Sequence, residues 1–198
     1  MVRLAVMASA IRPPDSLDDG QVRLRGLTEG DFDPWLQAFV DDPTLGVVLG
    51  TEQDPSLEEL RGHLERWPVR AAEGRGVDFV IADAESDDLL GAVNMFALDW
   101  HSRRGEIGVW LRRETRGRGI GSAALGLLLD WAFGSLQLAR VEMTTIPENE
   151  QLPRLADRLG FVHEGVLRSR NLERGRRVDI VFFGLLRDEW TSSRAGGR

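Results

Sequence analysis

At 198 residues the chain is long enough to bury one core and needs no second domain. Its formal charge of −7 excludes a general nucleic-acid binder, and the absence of cysteine excludes a disulfide framework, a thiol nucleophile and a thiolate metal site. All 25 basic residues are arginine and tyrosine is also absent, so no Schiff-base lysine, P-loop lysine or tyrosine acid is available, and three scattered histidines give no metal-ligand spacing.

Residues 1–20 read as a lead-in, because Pro13-Pro14 and Asp18-Asp19-Gly20 punctuate them and the opening apolar run is too short for a signal peptide. No window is apolar enough to span a membrane, and the expected location is the cytoplasm. Residues 21–190 read as a single domain and 191–198 as a tail. Gln21 to Leu27 alternates as a first strand. Thr28 and Asp31 then offer caps for a helix to Val40, which Asp41-Asp42-Pro43 stops. An irregular segment follows to Pro55. Ser56 caps a second helix, Leu57 to Trp67, with Leu57, Leu60, Leu64 and Trp67 on one face.

Asp78 to Ala82 and Leu89 to Ala97 read as a hairpin across an acidic turn, with Gly105 to Leu111 as the next strand. From Ser122 to Phe133 the residues are apolar almost all round, as in a helix buried against a sheet. Arg140 to Ile146 is a strand returning parallel to Gly105–Leu111, since a strand–helix–strand unit connects them. A short helix, expected to begin at Pro153 because proline suits the first helical position, ends at Gly160. Phe161 to Leu172 and Val178 to Leu186 form a last antiparallel pair. The order β-α-α-β-β-β-α-β-α-β-β predicts a mixed α/β sheet.

The chemistry concentrates where strand meets long helix, at Arg116-Gly117-Arg118-Gly119-Ile120-Gly121. Alternating glycines let the backbone turn sharply and bring its N–H groups near a ligand, while the amides of the first helical turn point outward unpaired. Phosphate oxygens suit that geometry, and the helix dipole and two arginines add to it. The stretch predicts a phosphorylated cofactor. A tight turn carrying surface arginines is the plain alternative. A dinucleotide site is another, with Glu142 at ribose distance, but the spacing is G-x-G-x-G rather than G-x-G-x-x-G and only one strand–helix–strand unit is present.

The RGRGIG run after a strand resembles the pyrophosphate-binding motif of the GNAT family of acetyl-CoA-dependent N-acetyltransferases. A second block, Thr145-Ile146-Pro147-Glu148-Asn149 followed by Arg154 to Arg168 with Gly160-Phe161 and Glu164-Gly165, is similar to the strand–Asn–helix–Gly-Phe segment of the same family, and most so to the group acetylating ribosomal-protein N-termini. The resemblance covers roughly Val22 to Trp190. It implies a GNAT α/β fold, a mostly antiparallel sheet of about seven strands with splayed central strands and about four helices. It also implies acetyl-CoA as cosubstrate, with no metal. Arg116, Gly117, Arg118, Gly119, Ile120, Gly121 and Ser122 would hold the pyrophosphate, Val109 and Leu111 the pantetheine arm, and Asn149 its distal amide. A main-chain N–H within Val109 to Leu111 would polarise the thioester carbonyl. The N-terminal helical region would fold over the acceptor amine, a peptide N-terminus or a small molecule, and the protein would be a monomer or a homodimer.

Glu106, at the start of the central strand, resembles the glutamate found there in relatives and is the candidate base. A strand-end carboxylate paired with Arg104 is the bland alternative. Asp179 could bind the incoming ammonium or serve only structure, and His101 could relay a proton or sit exposed in its loop. The chain departs from the family pattern at Leu152, where relatives carry a serine acid, and Leu152 can donate nothing. Two different outcomes therefore stand beside amine acetylation of a protein: a small-molecule acetyltransferase, acting on an antibiotic or polyamine, and a non-catalytic acyl-CoA sensor.

Overall fold

The computed structural model describes residues 10–51 and 53–196. Eight strands and six α-helices follow one another as β1 (Ser16–Asp18), β2 (Val22–Arg25), α1 (Phe32–Asp41), α2 (Leu45–Val48), α3 (Leu57–Ala72), β3 (Val77–Asp83), β4 (Leu89–Asp99), β5 (Arg104–Leu111), α4 (Ile120–Gly134), β6 (Arg140–Thr145), α5 (Gln151–Arg158), β7 (Val162–Glu173), β8 (Arg176–Leu186) and α6 (Arg187–Gly196). All strands form one sheet in the order β1-β2-β3-β4-β5-β6-β8-β7. Every neighbouring pair is antiparallel except β5 and β6, which the α4 crossover makes parallel.

Period-2 alternation gives the sheet two apolar faces. On one, Phe79, Ile81, Val93, Met95, Ile107 and Val141 pack with Leu125, Leu128 and Leu129 of α4. Those three leucines are fully buried, each contributing about 1.5–3 kcal/mol of transfer free energy. On the other face Val80, Ala82, Ala92 and Trp110 meet Trp35, Phe39 and Leu60 of α1 and α3. The Trp35 and Trp110 rings lie edge to face at 4.8 Å. The sheet is thus a wall between α4 on one face and α1 and α3 on the other.

Three expectations need correction. The predicted lead-in, residues 1–20, lies outside the described residues as far as residue 9, but its remainder packs: Ile11 is buried, its N–H donates to the Ala71 carbonyl at 2.9 Å, and β1 extends the sheet. The Asp18-Asp19-Gly20 signal marks a hairpin turn rather than a boundary, for Asp18 Oδ1 accepts the Gly20 N–H and Asp19 Oδ1 those of Gln21 and Val22. The helix expected to stop at Trp67 runs through Pro68 to Ala72, held by burial of Ala71 and by the Arg70–Asp78 ion pair at 2.8 Å. The helix expected to begin at Pro153 begins at Gln151; Pro153 still falls in the first turn, where no backbone N–H is required. The short α2 and the C-terminal α6, which carries the buried Trp190 and extends past residue 191 into the expected tail, account for the larger helix count.

Candidate active site

β5 and β6 are paired only at Arg104–Glu106 against Arg140–Glu142, although β5 continues to Leu111 and β6 to Thr145. Beyond Glu106 the two central strands part. Arg112 N–H bonds to the Leu90 carbonyl and Gly108 N–H to Asn94 Oδ1, both toward β4. The alternation of a strand therefore turns the backbone groups of Val109 and Leu111 toward the open side. A cleft open to solvent occupies that gap, between Val109 to Leu111, the loop from Arg116 to Ser122, and Asn149, Leu152, Leu155 and Arg158.

The loop is shaped by its glycines. Gly117 has φ +73° and Gly119, the residue capping α4, has φ +83°, a left-handed conformation costly for a residue with a Cβ. The first helical bond runs from Ala123 N–H to the Gly119 carbonyl at 3.0 Å. The amides of Ile120, Gly121 and Ser122 ahead of it are those a helix start leaves without intrahelical acceptors. They border the cleft, as a phosphate cradle requires.

The two arginines of the loop part company. Arg116 turns inward: its Nε and Nη2 donate to the Leu111 carbonyl at 3.1 and 2.8 Å, and its Nη1 meets Asp42 Oδ2 at 2.6 Å. Its guanidinium ties the loop to the end of β5 and to the segment before α2, so it supports the cradle rather than reaching across it. Burial pushes the Asp42 carboxyl up, but hydrogen bonds from Thr44 and Arg116 and the Arg116 charge outweigh it and hold it below the ordinary range. Arg118 does not border the cleft; its charge acts on Asp83 instead, and its carbonyl accepts from Gln21 Nε2 at 3.4 Å. The cationic side chain that joins Arg116 on the cleft wall is Arg158 of α5, which the motif did not single out. Its position four residues after Arg154 on a helix already expected there was the available signal.

Asn149 sits where the cleft meets a second cavity and borders both. Its Oδ1 accepts the N–H groups of Gln151 and Leu152 at 3.1 and 3.3 Å, capping α5, while its Nδ2 donates to Thr145 Oγ1 at 2.9 Å. Leu152 borders both cavities too.

The second cavity contains Glu106. Arg104 pairs with Glu142 at 3.0 Å, so the Arg104–Glu106 pair held open by the sequence is not formed. Glu142 also takes Arg140 at 2.8 Å and belongs to that ion cluster, not to a ribose site. Thr144 Oγ1 donates to Glu106 Oε1 at 2.5 Å. Burial raises the Glu106 carboxyl above its ordinary value, with the Glu142 charge adding to the rise and Thr144, Arg104 and Arg170 opposing it. Around it stand Asn94, Arg70 and Phe96, the α2 segment at Val48 to Gly50, and Arg170, Asn171 and Glu173 from the β7–β8 hairpin. Asp179 lies elsewhere: its Oδ1 accepts the Ser169 N–H at 2.7 Å where β7 bulges and Ser169 takes φ +50°. His101 is exposed in the turn after β4. Neither borders this cavity or the cleft.

Split parallel strands, a glycine-formed helix start in the cleft and a half-buried carboxylate beyond the split suit a transferase that spreads a phosphate-bearing cofactor across a sheet. Residues 21–162 match the acetyltransferase (GNAT) domain. The chain belongs to the GNAT acetyltransferase family. It is 30% identical over 176 residues to an uncharacterized N-acetyltransferase p20 of Bacillus licheniformis, covering 89% of this chain and 98% of that one. It is 28% identical to the ribosomal-protein-serine acetyltransferase of Escherichia coli over 92% of this chain and 99% of that one. Among solved structures, an acetyltransferase from T. thermophilus superposes with a TM-score of 0.79 at 28% identity, covering 93% and 96% of the two chains. The spermidine N-acetyltransferase of Vibrio cholerae, solved with CoA and spermine, shares the fold at a TM-score of 0.73 and 24% identity, covering 87% and 99%. The protein is an acetyl-CoA-dependent N-acetyltransferase with an amine acceptor.

Proposed function

We propose that the acceptor is the α-amine of a peptide or protein chain and that Glu106 takes its proton. The observation that carries the reading is the charge around Glu106: two carboxylates, Glu106 and Glu173, share the cavity with Arg170 and with Arg70, whose charge is already matched by Asp78. A single ammonium fits that balance, whereas a polyamine would bring several positive charges against the arginines. An α-amine, with an ordinary pKa of ~7.7–8.0, is partly neutral near pH 7–8 and needs only a modest base. A half-buried carboxylate whose proton affinity is raised suits that need.

In the cofactor cleft, the amides from Gly117 to Ser122, with Gly119 and Gly121 keeping the approach clear, hold the pyrophosphate. The open edge of Val109 and Leu111 bonds the pantetheine arm, and Asn149 stands at its distal amide. Glu106 removes the ammonium proton. The amine nitrogen then attacks the acetyl carbon, and the main-chain N–H of Val109 or Leu111 receives the developing oxyanion, a contribution of about 3–4 kcal/mol where such donors have been removed elsewhere. The C–S bond breaks, its electron pair leaves on sulfur, and the thiolate is protonated by the emerging ammonium or by water, since Leu152 offers no proton. A thiol with an ordinary pKa near ~8.5 leaves readily without a dedicated acid. Holding the two reactants in line supplies up to ~7–11 kcal/mol.

The test is free-thiol release from acetyl-CoA with a panel of peptides of differing first residue and with spermidine. Turnover of peptides at a kcat/KM at least tenfold above spermidine is expected. The reverse order would move the acceptor to the polyamine class, and acetyl-CoA binding with no turnover on any amine would leave a sensor.

A further inference from the structure

Three neighbouring cavities share lining residues: the cofactor cleft, the Glu106 cavity, and a larger one under α1 and α3 lined by Trp35, Phe39 and Trp110. Val109 and Leu49 border all three. Val109 is the strand residue whose backbone faces the cleft. Leu49, the residue closing α2, is half-buried and packs against the aromatic cluster. Its segment is fastened at both ends, by Asp42 to Arg116 at 2.6 Å and by the Thr51 carbonyl to Arg174 Nε at 3.0 Å from the hairpin tip. Leu49 is therefore a fixed apolar side chain at the crossing of the three spaces.

We propose that Leu49 sets the length of the acyl group this enzyme transfers, by filling the passage from Val109 into the aromatic-floored cavity. The inference rests on the reading of the cofactor cleft given above. A two-carbon acyl group ends at Leu49. With Leu49 shortened, further methylenes of a longer chain lie over Trp110, Phe39 and Trp35, which are apolar and large enough to receive them. The step is unchanged by chain length: the amine nitrogen bonds to the acyl carbon, the C–S bond breaks and CoA leaves as the thiol. One methylene in an apolar pocket changes discrimination by roughly 10–200-fold, so one residue suffices to set the limit.

The experiment measures kcat/KM for acetyl-, propionyl-, butyryl- and hexanoyl-CoA with one fixed amine, for the wild type, Leu49→Ala and the volume-conserving Leu49→Met. Wild type and Leu49→Met are expected to prefer acetyl-CoA over butyryl-CoA by at least tenfold, and Leu49→Ala to raise the butyryl-to-acetyl ratio at least tenfold. Should Leu49→Ala fail to fold, Leu49→Val carries the test with a smaller shift in the same direction. An unchanged ratio in a folded variant that still binds acetyl-CoA overturns the inference alone. Wild-type protein that releases no thiol from any acyl-CoA with any amine overturns the reading of the site beneath it.

Discussion

The two sides of the site are assembled in opposite ways. On the cofactor side a continuous stretch from Glu106 through Leu111 to Ser122 supplies strand edge, loop and helix start, and its geometry follows from glycines within the stretch itself. The acceptor side is put together from afar. Arg116 reaches Asp42, 74 residues upstream, Arg174 reaches the Thr51 carbonyl across 123 residues, and the walls come from α2, α3 and the β7–β8 hairpin. Local construction lets the cofactor side hold its shape through its own glycines, while distant construction makes the acceptor side depend on contacts between segments far apart in the chain.

That contrast can be broken from either side. The largest expected effect is on rate. Glu106→Gln should lower kcat/KM by about 10²-fold or more, within the range of general-base removal, and most at acid pH where the amine is protonated; the check is a pH–rate profile beside the wild type. A flat ratio across pH would return Glu106 to a structural role. The same substitution should leave stability at neutral pH unchanged or improved. A carboxyl whose folded pKa is raised binds its proton more tightly in the native state, so its contribution to stability falls as pH rises above the ordinary carboxylate range, and glutamine removes that loss while still accepting from Thr144. Denaturant titrations at pH 4 and 7 measure it.

Arg116→Ala strikes the joint between the two sides. It leaves the nearly buried Asp42 carboxylate without its partner, which should cost about 3 kcal/mol in a denaturant titration and raise both the amine KM and the acetyl-CoA Kd. In the wild type, the lowered Asp42 pKa contributes stability that is present above the ordinary carboxylate range and lost as pH falls through the folded value. The variant should show less of this acid-side loss, only the Thr44 hydrogen bonds remaining to oppose burial. Gly119→Val acts on the cofactor side alone. Space exists for the added Cβ, so the expected damage is to the left-handed backbone at φ +83° that aims the loop amides. Acetyl-CoA Kd should rise about tenfold or more by calorimetric titration, with the amine KM little changed. Asn149→Ala is the mildest, about 1 kcal/mol of stability from the lost α5 cap, read by thermal unfolding.

The same contrast explains what the sequence disclosed. The glycine turn from Gly117 to Gly121 and the strand that carries Glu106 were legible because glycine conformation and strand alternation are local properties, whereas the parting of β5 from β6 was only what the family resemblance implied. The inward turn of Arg116 was not legible, since its partner Asp42 belongs to a segment that reads only as a helix stop. The Asp18-Asp19-Gly20 turn misled for a related reason: a local breaker signal was given another use, as the turn between β1 and β2, by contacts such as that of Ile11 with Ala71. The α2 segment that carries Leu49 has only four helical residues and no periodic signal, and its place is set by the ion pair and hydrogen bond at its two ends.

The most direct test of a cofactor side built in advance of its acceptor is calorimetric titration of the wild-type protein with acetyl-CoA, CoA and NADH, no amine being present. Acetyl-CoA and CoA should bind with similar affinity, because both carry the pyrophosphate and pantetheine that the cradle and the open edge of β5 receive, and NADH should not bind. Binding of NADH without acetyl-CoA, or binding of acetyl-CoA only after an amine is added, would contradict the account.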